Sequence, residues 1–315
     1  MAREEVLVGV AGVGHLGRHH ARLYATLPGV RLVAVADRDI TRARAVAKEF
    51  GCEALSEAEG LLGRVEAASV AVPTVHHREV GETLLDGGVD VLVEKPMAAS
   101  LEEADALNAA ARRASRIVMV GHTERFNPAV IALARAVDAP RFLEIHRLAC
   151  FTDRSTDVDV VLDLMIHDID LLLYLDGTEP VSIDAVGVAA LTEKVDIASA
   201  RIRLASGCVA NLTASRISAD KVRKIRVFQS RTYLACDTVQ GTVERYRLHS
   251  HPHGGPGIHR EHLPVGSGEP LALELAAFVE AVRSRSTPPV DGLQGRRALG
   301  LAYRVREAIS ETNRA

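Results

Sequence analysis

A glycine-rich turn near the start of the chain has the spacing of a phosphate-binding site. The segment reads Gly12-Val-Gly14-His-Leu-Gly17 and lies between an apolar run and a helical pattern. The first glycine permits a tight turn, the second lets the backbone approach a pyrophosphate at a helix N-terminus, and the third lets helix and strand pack closely. Asp37 follows Gly17 by about 20 residues, the interval expected for a ribose-binding carboxylate. The pattern predicts a dinucleotide site, with incidental glycines in a βα turn as the alternative.

Two residues at the end of the next apolar run bear on which dinucleotide binds. Asp37 favours NAD, because its negative charge would repel the 2′-phosphate of NADP. Arg38 follows it directly and could accept that phosphate. We therefore predict NAD as the cofactor, with NADP as the less favoured alternative.

A lysine stands directly after a third apolar run. Glu94-Lys95-Pro96 follows Val89–Val93. Ligands of open parallel sheets bind beyond the carboxyl ends of the strands, so this position borders a site. A partly buried lysine there can donate a hydrogen bond to a substrate hydroxyl, or take its proton if the lysine pKa is lowered. The alternative is a salt-bridged surface Glu-Lys pair before a turn proline.

A polar stripe lies on an otherwise apolar segment, Val158–Leu175, which we predict to be helical. Asp163, His167 and Asp170 stand at positions i, i+4 and i+7, which share one helix face. Histidine is the natural general base near neutral pH, and a neighbouring carboxylate would orient it and raise its pKa. The alternative is a hydrogen-bonded histidine of the core.

Two further segments carry polar side chains whose use is less defined. Arg125 and Asn127 follow a predicted strand at the switch between the halves of the chain, so they are candidates for substrate contact or parts of an interdomain linker. The segment His249–His262 holds five histidines and several glycines. We predict a flexible loop, solvated or covering the substrate, and keep a zinc site as the weaker alternative.

The elements that must position these residues follow from the apolar pattern. Over the first 120 or so residues, short apolar runs alternate with helical segments, which predicts an α/β domain with a doubly wound parallel sheet. Later strands alternate in polarity around turns at Ser206-Gly207 and Ser230-Arg231, which predicts an open, mostly antiparallel sheet with helices on one face. We expect a dinucleotide-binding domain at 1–122 and a substrate-binding and oligomerisation domain at 123–315, with the last helix packing back toward the first domain.

Composition limits the partners. The 315-residue chain has a net charge of −3, 3% aromatic residues and no Trp, so we expect neither nucleic acid nor a membrane surface as partner. The four cysteines lack metal or redox spacing, and the N-terminus does not resemble a signal peptide. The charges within Val158–Leu175 exclude a membrane span there. We expect a cytoplasmic protein without a bound metal.

The motifs, taken in order, resemble those of the Gfo/Idh/MocA family of nicotinamide-dependent oxidoreductases. The order is GVGHLG, AVPTVHH, VLVEKP, GHTERFNP and DLMIHDID, and it spans nearly the whole chain. The resemblance implies a Rossmann domain followed by an α/β domain whose open sheet often forms dimer or tetramer contacts. It implies that Lys95, Asp163 and His167 occupy catalytic positions. The cofactor contacts that motifs and resemblance together predict are Gly12, Gly14, His15, Leu16, Gly17, Asp37, Arg38, Pro73, Thr74, His77, Glu94, Lys95 and Pro96.

Two positions depart from the family pattern: Thr74 stands where Asn is frequent, and Met165 where Gly is frequent. Within the family, segments such as LDLMIHDIDLL and SRISADKVRKIRVFQ look similar to bacterial UDP-N-acetylglucosamine 3-dehydrogenases, which supply a 3-keto sugar nucleotide for amino-sugar and lipid A precursor synthesis. The resemblance implies hydride transfer from a sugar hydroxyl to NAD, with Arg125 and Asn127 near the substrate.

In that reading His167 takes the proton, Lys95 hydrogen-bonds the same oxygen and Asp163 orients the site; the family is not uniform in which of Lys and His is the base. Two other functions remain open. One is oxidation of another polyol or free sugar, such as an inositol, and the other is a non-catalytic NAD-binding regulator.

Overall fold

The computed structural model of the protein describes residues 5–151, 158–250 and 256–314. Contacts divide the chain into two units. The first unit comprises the chain up to Thr123 together with Glu269–Arg297, and the second comprises Glu124–Gly268 together with the residues from Ala298 onward. The grouping therefore divides the predicted second domain, because residues 269–297 belong to the first unit.

The first unit contains one parallel sheet of six strands. Their bounds are β1 (Val6–Ala11), β2 (Val30–Ala36), β3 (Glu53–Leu55), β4 (Ala67–Val70), β5 (Asp90–Glu94) and β6 (Val118–Gly121). The spatial order is β3-β2-β1-β4-β5-β6, and every pair of neighbours is parallel. The strands β4 and β5 are buried throughout, as expected for a parallel sheet covered on both faces. This is the predicted doubly wound Rossmann sheet.

The helices of the first unit differ in whether a side chain caps their first turn. Their bounds are α1 (His15–Tyr24), α2 (Ile40–Phe50), α3 (His77–Asp86), α4 (Leu101–Ala114) and, after the second unit's strands, α7 (Pro270–Ser284). The Ser100 Oγ accepts from the Glu103 backbone N–H at 3.2 Å and so caps the first turn of α4. Asp39 caps α2 in the same way, through the N–H groups of Thr41 and Arg42.

Eight strands form a mixed sheet in the second unit. Their bounds are β7 (Phe142–Leu148), β8 (Pro180–Val188), β9 (Ile197–Leu204), β10 (Val209–Ser215), β11 (Val222–Gln229), β12 (Thr232–Asp237), β13 (Thr242–Ser250) and β14 (Pro256–His262). The order is β14-β13-β12-β11-β7-β10-β9-β8. The β7–β10 pair is parallel and the other pairs are antiparallel, so the predicted open, mostly antiparallel sheet is confirmed. The predicted turns at Ser206-Gly207 and Ser230-Arg231 join β9 to β10 and β11 to β12.

Helices cover one face of this sheet. Their bounds are α5 (Pro128–Ala136), α6 (Ile166–Asp176) and α8 (Gly292–Thr312), the last of which begins within the first unit. Helix α5 contacts β12 and β13, and α6 contacts β7 and β10. Along β9, exposed and buried residues alternate strictly, so apolar side chains such as Ile202 face the helices while Arg201 and Arg203 face outward.

Two sequence predictions are corrected. The predicted helix Val158–Leu175 is not uniform, because it opens with a π-helical turn at Val161–Met165 before α6 begins. The predicted flexible loop His249–His262 is wrong over its second part, because β13 and β14 pair antiparallel through Leu248↔Ile258 and Arg247↔His259. His251 and His253 lie outside the described residues.

Candidate active site

The three glycines of the first turn have different neighbours. Gly12 has φ +83°, and a Cβ there would lie 2.6 Å from the Val72 backbone nitrogen. A Cβ on Gly17 would lie 1.8 Å from the Gly12 carbonyl oxygen. A Cβ on Gly14 would meet nothing within 4 Å. The fold itself therefore requires glycine at 12 and 17, whereas at 14 it leaves open space for a group from outside the chain.

The N-terminus of α1 adjoins that open space. Gly14 is its N-cap residue, and no described side chain caps the first-turn N–H groups. These donors and the positive end of the helix dipole suit an anion such as a pyrophosphate. Leu16, in the same turn, keeps 44% of its surface exposed. An open groove of about 590 Å³ borders this end of the helix and is lined in part by Val13, Gly14 and His15.

Asp37 lies at the end of β2, beside the glycine turn. Its Oδ2 accepts from the Val13 backbone N–H at 2.9 Å, and its Oδ1 accepts from the Asp39 N–H at 2.9 Å. The Arg42 Nη1 lies 3.3 Å from both carboxylate oxygens. These contacts fix the carboxylate at the position expected for a ribose ligand. Arg38 is largely exposed, and its Nη1 lies 3.4 Å from His76 Nε2.

The residues after β4 lie at the same carboxyl edge of the sheet. Pro73 and Thr74 begin a 3₁₀ turn, Thr74–His76, that leads into α3. His77 is 1% exposed, with its Nε2 2.9 Å from the Val72 carbonyl oxygen and its Nδ1 2.9 Å from the Pro96 carbonyl oxygen. Burial lowers the pKa of His77. This imidazole joins two loops of the site and does not present its nitrogens to a ligand.

Glu94 and Lys95 follow β5 at that edge. Glu94 is buried, its Oε1 accepts from His20 Nε2 at 2.9 Å, and its Oε2 accepts from the Lys95 backbone N–H at 3.2 Å. Burial alone would raise the pKa of Glu94, but the hydrogen bond from His20 and the positive charge of Lys95 hold it below its ordinary value. The alternative of a surface Glu-Lys pair is wrong. The Lys95–Pro96 peptide bond is cis.

The partners of Glu94 were not predicted from the sequence. The His20 Nδ1 lies 2.9 Å from Ser69 Oγ, and the Tyr24 hydroxyl lies 2.9 Å from the same oxygen. His20 and Ser69 are fully buried on α1 and β4. The available signal was a histidine three residues after Gly17, on the helix face that also buries Leu23 and Tyr24.

The polar stripe of the second unit divides into two sets. Asp159 Oδ1 accepts from the N–H groups of Val161 and Leu162, which starts the π-helical turn. Asp163 lies within that turn and His167 on the first turn of α6, and both are half-buried. Asp170 is 1% exposed and accepts from Arg125, so it does not share the half-buried surface.

Arg125 and Asn127 make contacts that hold the fold. The Arg125 Nε and Nη2 donate to the two Asp170 oxygens at 2.7 and 2.6 Å, and the guanidinium lies 4.9 Å from the Tyr174 ring centroid. Asn127 is the N-cap of α5, with its Oδ1 accepting from the Ala129 N–H at 3.0 Å. The structure thus gives both residues internal partners, and their contact with substrate stays a prediction.

A second buried ion cluster lies nearby and was not predicted. Arg147 on β7 donates from Nε to Asp168 Oδ1 at 2.8 Å and from Nη1 to Glu124 Oε1 at 2.9 Å, while Arg223 Nη1 donates to Glu124 at 2.8 Å. Burial raises the pKa of Asp168 against the opposing effect of Arg147. The cluster ties α6 and the 3₁₀ turn Thr123–Phe126 to the sheet.

The described part of the chain holds neither a cluster of metal-ligating side chains nor a membrane-spanning helix. Within residues 5–151, 158–250 and 256–314, no group of three or more His, Cys, Asp or Glu side chains is placed to hold a metal ion. No helix in the described part of the chain is both long and apolar enough to cross a membrane.

Comparisons with known proteins cover both units. Residues 6–122 match the profile of an oxidoreductase family with an NAD-binding Rossmann fold, and residues 134–235 match the GFO/IDH/MocA C-terminal domain. The UDP-N-acetylglucosamine 3-dehydrogenase of Acidithiobacillus ferrooxidans is 42% identical over 303 residues, 96% of each chain. The inositol 2-dehydrogenase of Rhizobium meliloti is 27% identical over 324 residues, 97% of each chain.

Solved structures of dehydrogenases have the same fold as this chain. A structure of the A. ferrooxidans UDP-N-acetylglucosamine 3-dehydrogenase superposes with a TM-score of 0.91 at 40% identity, covering 97% of this chain and 98% of that one. A probable dehydrogenase from Thermotoga maritima shares the fold, with a TM-score of 0.84 at 24% identity over 98% and 97% of the chains. The glycine turn, the fixed Asp37 and these matches together show that the chain belongs to the Gfo/Idh/MocA family of NAD-binding oxidoreductases.

Proposed function

We propose that this protein oxidises the C3 hydroxyl of UDP-N-acetylglucosamine and transfers the hydride to NAD⁺. The observation that carries the proposal is the 42% identity over 96% of both chains to an enzyme of that activity, against 27% for an inositol 2-dehydrogenase of similar coverage. In this proposal residues 1–122 bind NAD, and the chain from residue 123 binds the sugar nucleotide.

The residues of the first unit fit NAD. The open space at Gly14 and the uncapped N–H groups of α1 suit its pyrophosphate, and the fixed Asp37 carboxylate can accept from ribose hydroxyls. His15, Leu16, Pro73 and Thr74 border the same edge. When bound, NAD⁺ supplies the hydride acceptor. Glu94, Pro96 and His77 shape this edge through one another's backbone and side-chain contacts.

A residue of the chain must accept the proton that the substrate hydroxyl loses. We assign proton removal to His167, because a half-buried imidazole can exchange protons near neutral pH. Lys95 donates to the same oxygen and stabilises its developing negative charge. Asp163, four residues before His167, orients these groups. In this assignment Arg125 and Asn127 act indirectly, by fixing the turn and helix that follow the first unit.

A substrate panel tests the proposal. Purified protein with NAD⁺ is given UDP-N-acetylglucosamine, UDP-glucose or myo-inositol, and NADH absorbance is followed with and without 2-oxoglutarate to discharge tightly held NADH. We expect kcat/KM for UDP-N-acetylglucosamine to exceed that for myo-inositol by at least about 100-fold, because a site built for a nucleotide sugar leaves polar groups unpaired with a small polyol. A higher kcat/KM for myo-inositol would reject the proposed substrate.

The outer face of the second unit's sheet supports a homo-oligomer. Phe142, Phe228, Tyr233 and Tyr246 form a row across four adjacent strands, with successive ring centroids 5.6, 4.8 and 5.0 Å apart. Aromatic rows on an open sheet face are suited to burial against a second copy. We expect light scattering to give a dimer or tetramer, and Phe228→Asp to shift it toward monomer. A monomeric wild-type protein would contradict this.

A cytoplasmic location is also part of the proposal. Cys52, Cys150, Cys208 and Cys236 are all free, as is typical of a reducing compartment. Cell fractionation with a periplasmic marker tests it, and recovery with that marker would overturn it.

A further inference from the structure

The turn that carries Lys95 is held on both sides by buried histidines. Glu94, which precedes the lysine, accepts from His20, and the carbonyl of Pro96, which follows it, lies 2.9 Å from His77. We propose that His20 and His77 are positioning residues that fix Lys95 for proton and hydride transfer. The inference rests on the catalytic role that the proposed function gives to Lys95.

The His20 anchor acts through the side chain of Glu94. A carboxylate can only accept, so His20 Nε2 donates to Oε1, and the other oxygen, Oε2, accepts the Lys95 backbone N–H. His20 Nδ1 is held in turn by Ser69, which also contacts the Tyr24 hydroxyl. A Cβ on Gly121 would lie 3.1 Å from the Glu94 carboxyl carbon, so this glycine leaves the room that the carboxylate occupies.

The His77 anchor acts through the backbone on the other side. His77 Nδ1 faces the Pro96 carbonyl, and Nε2 faces the Val72 carbonyl. A neutral imidazole carries one N–H, and the proposal places it on Nδ1, which then donates to the Pro96 oxygen. The ring is 1% exposed, so neither contact is exchanged with bulk water. Because the two anchors hold the residues on either side of Lys95, the lysine backbone has little freedom, and its flexible side chain starts from a fixed point.

The two histidines use different ring nitrogens toward the lysine turn. His20 uses Nε2 and His77 uses Nδ1, while the remaining nitrogens face Ser69 and Val72. A glutamine amide nitrogen reaches approximately the Nε2 position, and an asparagine amide nitrogen reaches the Nδ1 position. His20→Gln and His77→Asn therefore retain the contact to the lysine turn, whereas His20→Asn and His77→Gln retain only the contact to the framework.

The four variants give a crossed prediction, in which the substitution that preserves kcat is glutamine at position 20 but asparagine at position 77. At saturating NAD⁺ and UDP-N-acetylglucosamine, we expect His20→Asn and His77→Gln to lose about 10- to 100-fold in kcat, as a displaced reacting group does, and His20→Gln and His77→Asn to lose about threefold or less. Melting temperatures are expected to be similar within each pair. A purely structural role predicts that kcat follows thermal stability. Equal losses within each pair, or the opposite order, would overturn the proposal.

A second readout does not depend on turnover. Competitive acetylation of the cofactor-free protein with acetic anhydride, followed by mass spectrometry, gives the reactivity of Lys95 relative to the exposed Lys48. We expect this ratio to change at least about threefold in His20→Asn and His77→Gln, and to stay near the wild-type value in the other two variants. An unchanged ratio in all four variants would contradict positioning of Lys95.

The Lys95→Met protein distinguishes failure of the catalytic role proposed for Lys95 from failure of the positioning role proposed for the histidines. If Lys95→Met keeps its turnover, the assignment of Lys95 in the proposed function fails, whatever the histidine variants show. If Lys95→Met loses turnover but the crossed order is absent, the positioning role alone fails. If both proposals hold, His20→Asn adds no further loss of kcat in the Lys95→Met background, because both changes act on the same group.

Discussion

In the first unit two buried histidines contact the turn that carries Lys95, whereas in the second unit buried arginines pair with carboxylates of that same unit. His20 and His77 contact Glu94 and Pro96, the neighbours of Lys95. Arg125 and Arg147, in contrast, pair with Asp170 and Asp168 on α6. Buried polar groups therefore hold the turn beside the candidate active site in the first unit, and they hold helix α6 in place in the second.

This difference bears on how polar motifs are interpreted. Of the polar residues between Asp163 and Asp170, Asp168 and Asp170 are buried in ion pairs, and Asp163 and His167 remain half-buried. A motif that contains several acids and a histidine can thus divide its members between chemistry and framework. The following predictions separate the two uses.

The largest expected effect is on the chemistry of the first unit. We expect Lys95→Met to lower kcat by about 10²- to 10⁴-fold, because it removes the donor to the reacting oxygen. NAD⁺ affinity, measured by titration calorimetry, should change little. The matched control is Lys48→Met, on the exposed face of α2, which should retain wild-type kcat. A Lys95→Met enzyme with wild-type turnover would show that the turn held by the buried histidines of the first unit does not carry a catalytic residue.

Removing a framework ion pair should act on stability. We expect Arg125→Ala to lower the free energy of unfolding by about 3–5 kcal/mol, because Asp170 is left charged and buried. Urea unfolding measures this. Arg113→Ala, which breaks the exposed pair with Asp86, is the control and should leave the free energy of unfolding nearly unchanged, because solvent screens that pair. Unchanged stability with a raised KM for the sugar nucleotide would instead show that Arg125 contacts substrate.

Gly14→Ala tests whether the open space serves the cofactor. Gly14 has φ −65°, and its Cβ would meet nothing within 4 Å, so the melting temperature should be unchanged. The Kd for NAD⁺ should rise about tenfold, equivalent to ~1.4 kcal/mol, because the added methyl group occupies the path of the pyrophosphate. Gly266→Ala, which is equally open, is the control. Unaltered NAD⁺ affinity would place the pyrophosphate elsewhere.

The smallest expected effect concerns Asn127. Asn127→Ala removes the cap of α5 and should cost about 1 kcal/mol of unfolding free energy, while Asn127→Asp should retain most of it. Because the side chain serves the helix, the KM for UDP-N-acetylglucosamine should be unchanged in both variants. A KM increase with wild-type stability would show instead that Asn127 belongs to the substrate site.

The parts of the site that depend on local geometry could be predicted from the sequence. The glycine turn and Asp37 follow from short spacings around one βα unit, and the hairpin turns follow from their residue types. The His20–Glu94 pair joins residues 74 positions apart, so no local spacing indicates it. The stripe through Asp170 assumed a regular α-helical period, which the π-helical turn at Val161–Met165 interrupts. Strand β14 was predicted as part of a loop, because its histidines are polar, as loop residues commonly are.

Hydride transfer from C3 is the central claim, and isotope transfer tests it most directly. UDP-N-acetylglucosamine carrying deuterium at C3 is incubated with the protein and NAD⁺, and the reduced cofactor is analysed by mass spectrometry. The account predicts that the wild-type protein forms NADH carrying one deuterium. The His167→Ala protein should form far less of this labelled NADH. Reduced cofactor without deuterium, or no reduction although NAD⁺ binds, would contradict it.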